Sequence, residues 1–403
     1  MNSKRRNARG NARRSALVKA TALALAIATF ASVQHDAAAN PLSRNQVKRM
    51  YDRLAGTPPT PATINALEVQ AETDLVGTAM SIMNNSSTFY SVTLKNFATP
   101  WTNRDQTVFA PLNDYTATVI GVVRDDRDFR GILSDDILYI GQGVTPAYSP
   151  TSNAHYEALE SNNEDLKARL VLTTQSSLNG LPPNATAGII TSRGASEAFF
   201  IAGTNRAMFR FTLLNHLCHD MEQVHDTSRP PDRIRQDVTR SPGGDSSLFL
   251  NNCIGCHSGM DPMAQAFAYY NFDETQGRLV YTDGQVQPKY LINSDNFKPG
   301  FITTDDHWEN RWRLPGKNTL LGWAGQDDHI RSGNGAKTLG QELANSDAFA
   351  QCQVEKVFRT VCLRAPSDAA DVDQVEHIVT AFKSSGYKLK TAFAESAAWC
   401  AGN

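Results

Sequence analysis

The sequence predicts a mainly α-helical protein with short β segments, and three observations lead there. Apolar residues recur with helical spacing near the start, just past the middle and at the end of the 403-residue chain. Residues 278–335 lack that spacing and are rich in Gly, Asp and Asn, which reads as loops with short strands. No stretch after residue 39 approaches transmembrane length, and no fixed-period repeat is visible.

The chain opens with Lys4, Arg5, Arg6, Arg9, Arg13, Arg14 and Lys19, followed by an apolar run over residues 20–33. A basic segment, a short apolar segment and Ala37-Ala38-Ala39 form a secretory signal peptide, with cleavage near Ala39. A retained anchor is the competing reading, but the apolar run is too short to span a bilayer comfortably. Arg13-Arg14 resembles a twin-arginine signal only faintly, and the general secretory route is preferred. Removal of residues 1–39 leaves 32 basic against 40 acidic side chains, a net charge of −8. Such a surface repels nucleic acid and steers a positively charged partner toward it. The expected location is the periplasm or the exterior.

Residues 42–83 read as helix with a break at Pro58-Pro59-Thr60-Pro61. Residues 116–123 and 136–140 are either short strands or buried helix segments, because periodicity does not separate the two. Residues 141–152 and 181–184 read as loop and turn, and residues 205–224 as an apolar helix ending ahead of Pro230-Pro231. Over 349–362, Val354, Val357, Phe358 and Val361 mark one helical face. Ser367 caps a second helix carrying Val372, Val375, Val379 and Phe382, and residues 387–399 read as a third.

Cysteines stand at 218, 253, 256, 352, 362 and 400. Cys253-Ile254-Gly255-Cys256-His257 is the C-x-x-C-H arrangement of covalent haem attachment. Two thiols on one helical turn reach the two vinyl groups of a haem, and the adjacent imidazole meets the iron. Chance placement yields about 0.002 such motifs in a chain of this composition, so the signal is specific. A thioredoxin-like pair needs a βαβ setting that is missing, and half a zinc site needs a second Cys or His pair that is missing too. The cofactor expected is one covalent haem c, held by Cys253 and Cys256, with His257 as axial ligand of the iron.

Four cysteines remain, and an oxidising compartment favours pairing them. Cys352 and Cys362 on one helix stand about 15 Å apart along its axis, beyond disulfide reach. An up-down-up arrangement of the last three helices favours Cys362–Cys400, which makes Cys218–Cys352 the second bridge. Four free thiols are the alternative.

No methionine follows Met263, so a distal ligand from downstream is a histidine. His307 or His329, both in the loop-rich region, are the candidates, each with surface histidine as the plainer reading. His377 lies off the apolar face of its helix. Upstream, Met208, His216, His219, Met221 and His225 are candidates as well, with Met260 and Met263 kept on the His257 side by their position on the same helix.

Beyond the motif, Met260-Asp261-Pro262, Asn271-Phe272-Asp273 and Gly277-Arg278 come in order. With them the chain resembles a planctomycete-type family of uncharacterised cytochrome-like proteins, described by consecutive domains of unknown function with a C-x-x-C-H-x-x-M-D-P block. Phe349-Ala350-Gln351-Cys352 and Lys356 are similar to the opening of that family's terminal helices, while Thr360-Val361-Cys362-Leu363-Arg364 departs from its usual A-L-G-R. The resemblance covers about residues 205–403. It implies haem attachment and ties Asp261, Asp273 and Arg278 to the haem helix, with Arg278 serving a haem propionate or an ordinary surface ion pair.

The organisation expected is therefore a signal peptide at 1–39, a mostly helical region at 40–204, a cytochrome c-like haem-binding region at 205–345 and a C-terminal helical hairpin or three-helix unit at 346–403. Electron transfer with a redox partner protein of basic docking surface is the leading function. A peroxidase-like or oxygen-activating haem enzyme with an open distal site, and a haem-stapled binding or structural module, are the alternatives.

Overall fold

The computed structural model describes residues 41–201, 203–234, 247, 249–291, 301–315, 318–323 and 331–402. The signal peptide expected at 1–39 and His329 lie outside the described residues. The fold is mainly helical, with three small two-stranded antiparallel sheets among the described residues.

Three helices, α1 (Pro41–Ala55), α2 (Pro61–Ala71) and α3 (Leu75–Asn85), occupy the stretch read as broken helix. Thr60 caps α2 by accepting from Thr63 N, with Pro61 at the first helical position where its missing N–H costs nothing. Asp74 caps α3 by accepting from Gly77 N at 2.7 Å.

The ambiguous residues 116–123 belong to α4 (Asp114–Arg124), which is buried on every face from Asp114 to Val123. A helix enclosed all round shows no amphipathic stripe, and that is why its periodicity is silent. Asn113 starts it by accepting from Thr116 N. Strand β1 (Leu138–Gly141) pairs with β2 (Leu170–Thr173), so that Leu138 faces Thr173.

Next come α5 (Arg206–Leu217), α6 (Ile254–Ala264), the hairpin β3 (Tyr270–Asp273) with β4 (Arg278–Tyr281), and β5 (His307–Asn310) paired with β6 (Arg331–Asn334). Helix α5 is shorter than its apolar pattern predicts. It stops at Cys218, whose φ of 56° is left-handed and cannot continue a helix.

The chain ends in α7 (Gly335–Ala344), α8 (Asp347–Cys362), α9 (Ala369–Ser384) and α10 (Leu389–Cys400). Ser346 caps α8, and Asp368, one residue later than the expected Ser367, caps α9. Val375, Ile378 and Phe382 are buried on α9, whereas Val372 is 48% exposed, so the buried face starts one turn later than the sequence pattern does.

Both predicted bridges are present, Cys218–Cys352 and Cys362–Cys400. The first joins the end of α5 to α8, and the second joins the ends of α8 and α10.

A single cluster of buried residues runs from Met50 to Ala401 and takes side chains from all three stretches distinguished in the sequence. Phe393 of α10 lies edge-on to Phe89 and Phe97, at 5.2 and 5.4 Å between ring centres. At the other end of α10, Arg49 and Arg53 of α1 donate to the carbonyls of Ala401 and Cys400. Cations on the last carbonyls of a helix satisfy acceptors that have no partner within it.

Among the described residues no helix is long and apolar enough to cross a membrane. Two disulfides fit an oxidising compartment.

Candidate functional site

Helix α6 carries the motif at its first turn, entered through a wider π-helical turn over Phe249–Cys253. Cys253 and Cys256 are unpaired and half-buried, while the other four cysteines are bridged. Burial pushes the Cys256 thiol up from its ordinary pKa, and the charge of Glu222 adds to that, so this sulfur stays protonated at neutral pH.

Four residues along the same helix face, His257 meets Asp261. The two are 3.0 Å apart, Nδ1 to Oδ1, and the Asp261 side chain is wholly out of water. Asp261 also receives Arg206 of α5, Nε to Oδ1 at 3.0 Å. A carboxylate only accepts, so it sets Nδ1 as the protonated nitrogen and leaves the lone pair on Nε2. Nε2 takes no hydrogen bond among the described residues. An imidazole held in this way through one nitrogen is oriented for a metal at the other.

Two close approaches fix the helix. Gly259 lies against the indole of Trp312, where an added Cβ would stand 2.1 Å from Nε1. Gly255, the second spacer of the motif, lies against the ring of His225, where an added Cβ would stand 2.2 Å from Nε2. The loop that carries His225 touches the motif twice more. Asp226 N donates to Gly255 O at 3.0 Å, and Cys256 Sγ lies 3.5 Å from Met221 O.

The remaining candidates lie apart from this turn. Asp273 accepts from Thr275 N and Gln276 N and so closes the β3–β4 hairpin. Arg278 faces Asp273 across that hairpin, half-buried, its Nε without a hydrogen-bond partner. No described contact brings Arg278 to residues 253–257. His307 is half-buried on β5, opposite Asn334. Its neighbour Asp306 acts on Tyr269, whose phenol is pushed up by burial and then by that charge, while Trp312 beyond the other end of β5 meets Gly259. No described contact brings His307 to residues 253–257.

His216 is fully buried, with Nε2 2.7 Å from the hydroxyl of Tyr115. Burial holds its pKa well below the usual histidine value, helped by the nearby Lys356. Met208 is enclosed in the same core beside Thr212. His219 bonds Leu217 O through Nδ1, and His377 is exposed on α9. Among the described residues no group of three or more His, Cys, Asp or Glu could hold a metal ion by itself.

The sequence pattern locates the motif but gives His257 no partner. The i,i+4 spacing of His257 and Asp261 on one helix is the signal that could have found it. Arg206 and Trp312 carry none, since 55 residues separate Arg206 from Asp261.

The residues present fit a covalently attached haem. Two free thiols and an imidazole with an open nitrogen share one turn, and a buried carboxylate fixes that imidazole. Such a group would supply one-electron chemistry at iron. No family model matches the chain, and neither a curated protein nor a solved structure is significantly similar to it.

Proposed function

We propose that this chain is an exported monohaem c-type cytochrome that transfers electrons in the periplasm. Cys253 and Cys256 form the two thioethers and His257 is the axial ligand. The observation that carries the reading is the buried Asp261 carboxylate on His257 Nδ1, placed on the turn that holds the only two unbridged cysteines of the six. A surface of net charge −8 after removal of residues 1–39 suits a redox partner protein with a basic docking face.

The test is a mass and a thiol count. Expressed in a host competent for cytochrome maturation, the mature polypeptide carries one added haem mass that survives denaturation. After reduction in denaturant it shows four free thiols, because thioethers resist the reductant that opens the two disulfides. Six thiols and no added mass would remove the proposal. Replacing both Cys253 and Cys256 by Ser abolishes the added mass without altering the four-thiol count.

A further inference from the structure

We propose that the Cys218–Cys352 bridge is a thiol–disulfide exchange site for a dithiol reductant, with Cys218 as the sulfur attacked and Lys356 as the cation beside the sulfur that leaves. Both cysteines line a cavity of about 590 Å³, together with His219, Gln351 and Glu355. Cys218 also borders a second cavity, of about 380 Å³, on the side of Trp101 and Gln106. Cys218 is half-buried between the two, whereas Cys352 is 1% exposed. An incoming thiolate therefore meets Cys218 Sγ, and Cys352 Sγ is the group displaced.

The displaced sulfur leaves toward a positive charge. Lys356 stands one turn beyond Cys352 on α8, and its Nζ donates to Asn215 O near the end of α5, 4.4 Å from the centre of the Trp101 ring. Cys352 Sγ lies 3.9 Å from the same carbonyl oxygen. One backbone acceptor thus holds the ammonium next to the sulfur that takes up negative charge, and a thiolate favoured in this way leaves faster. The other titratable groups around the amine are Glu355 and Arg359 on α8, His216 on α5 and His219 just after it. Burial, with the charge of Arg359, pushes the Lys356 amine down to about 7, so the cation is lost as the pH rises through that value.

The exchange balances in two steps. A thiolate of the reductant bonds to Cys218 Sγ, the S–S bond breaks, and Cys352 leaves as a thiolate. The second thiol of the reductant then attacks the mixed disulfide, so that Cys218 leaves and the reductant departs as a disulfide. Two electrons pass to the protein, and the two released sulfurs take up the two protons that the reductant gives up. A compartment that forms thioethers at Cys253 and Cys256 must keep those cysteines as thiols and so holds such a reductant; this supply alone rests on the haem reading above. Opening the bridge frees Cys218, where the loop bonded to Gly255 begins.

The experiment treats the folded mature protein with dithiothreitol, quenches with N-ethylmaleimide and maps the labelled cysteines by mass. Cys218 and Cys352 are expected to label at least about tenfold faster than Cys362 and Cys400. The monothiol glutathione is expected to leave its adduct on Cys218 and the maleimide on Cys352. Lys356→Gln should open about tenfold more slowly, while Lys356→Arg restores the rate and outpaces wild type increasingly as the pH rises above about 7, because the guanidinium keeps its charge. Equal labelling of the two bridges, or glutathione on Cys352, overturns the inference. A wild-type rate in Lys356→Gln, or no rescue by a folded Lys356→Arg, overturns the part given to Lys356. The glutathione map needs no variant, so it decides whether or not the variants fold. Labelling reads the bridge directly, so a chain without haem mass defeats the haem reading and leaves this test standing.

Discussion

Loop length gives the Cys218–Cys352 disulfide the larger expected part in stability, and its removal tests how the site is held. Its ends are 134 residues apart, against 38 for Cys362–Cys400. Loop-closure entropy restricted in the unfolded chain grows with the logarithm of that separation, which gives about 5 kcal/mol for the first bridge and about 4 kcal/mol for the second. The first also anchors the left-handed end of α5, from which the loop over the C-x-x-C-H motif departs. It borders a cavity of about 590 Å³ together with His219 and Gln351, so a small reductant reaches it. In guanidinium unfolding followed by circular dichroism, Cys218→Ser/Cys352→Ser is expected to lose more stability than Cys362→Ser/Cys400→Ser. Hydrogen exchange should then rise over residues 219–226 in the first variant only. A loss below about 1 kcal/mol for the first pair, or a larger loss for the second, refutes the reasoning from loop length.

Three further outcomes rest on single contacts. Asp261→Asn keeps an oxygen for His257 Nδ1 but discharges the partner of Arg206, so it should cost about 2 kcal/mol in denaturant melts and shift the haem absorption, with Asp261→Ala costing more. Gly259→Ala places a methyl 2.1 Å from Trp312 Nε1 and overpacks a residue that is 1% exposed. A loss of about 1–3 kcal/mol is expected, partly recovered in Gly259→Ala/Trp312→Phe; no recovery would locate the strain elsewhere. His216 is neutral when folded because burial depresses its pKa, while the unfolded histidine binds a proton below its ordinary value of 6.5. Its contribution is therefore present above about pH 6.5 and is lost as the pH falls below that, and His216→Gln should flatten the slope of unfolding free energy between pH 7.5 and 5.

Local chemistry is legible in the sequence wherever one stretch of chain contains the whole reason. The C-x-x-C-H motif, the three amphipathic terminal helices and the exclusion of a Cys352–Cys362 bridge all depend on residues that share a helix. Helix α4 is not legible, because it is buried on all sides and its polarity has no period to read. The end of α5 is overrun because Leu217, Met221 and Val224 keep a helical spacing past Cys218 while the backbone turns left-handed there.

The donor set is a property of the chain alone, since two thiols and an imidazole at fixed spacing on one helical turn are a covalent fact. The export signal pattern and the acidic balance of residues 40–403 are equally plain without any fold. The groups that surround the turn come from packing. Arg206 arrives from 55 residues before Asp261, and Trp312 from 53 residues after Gly259. His225 comes from 30 residues before Gly255, on a loop that begins at the bridged Cys218 and is held by the Asp226–Gly255 hydrogen bond. Helical periodicity reports contacts within about a turn, whereas these contacts depend on how α5, α6 and α8 pack, and no local spacing records that.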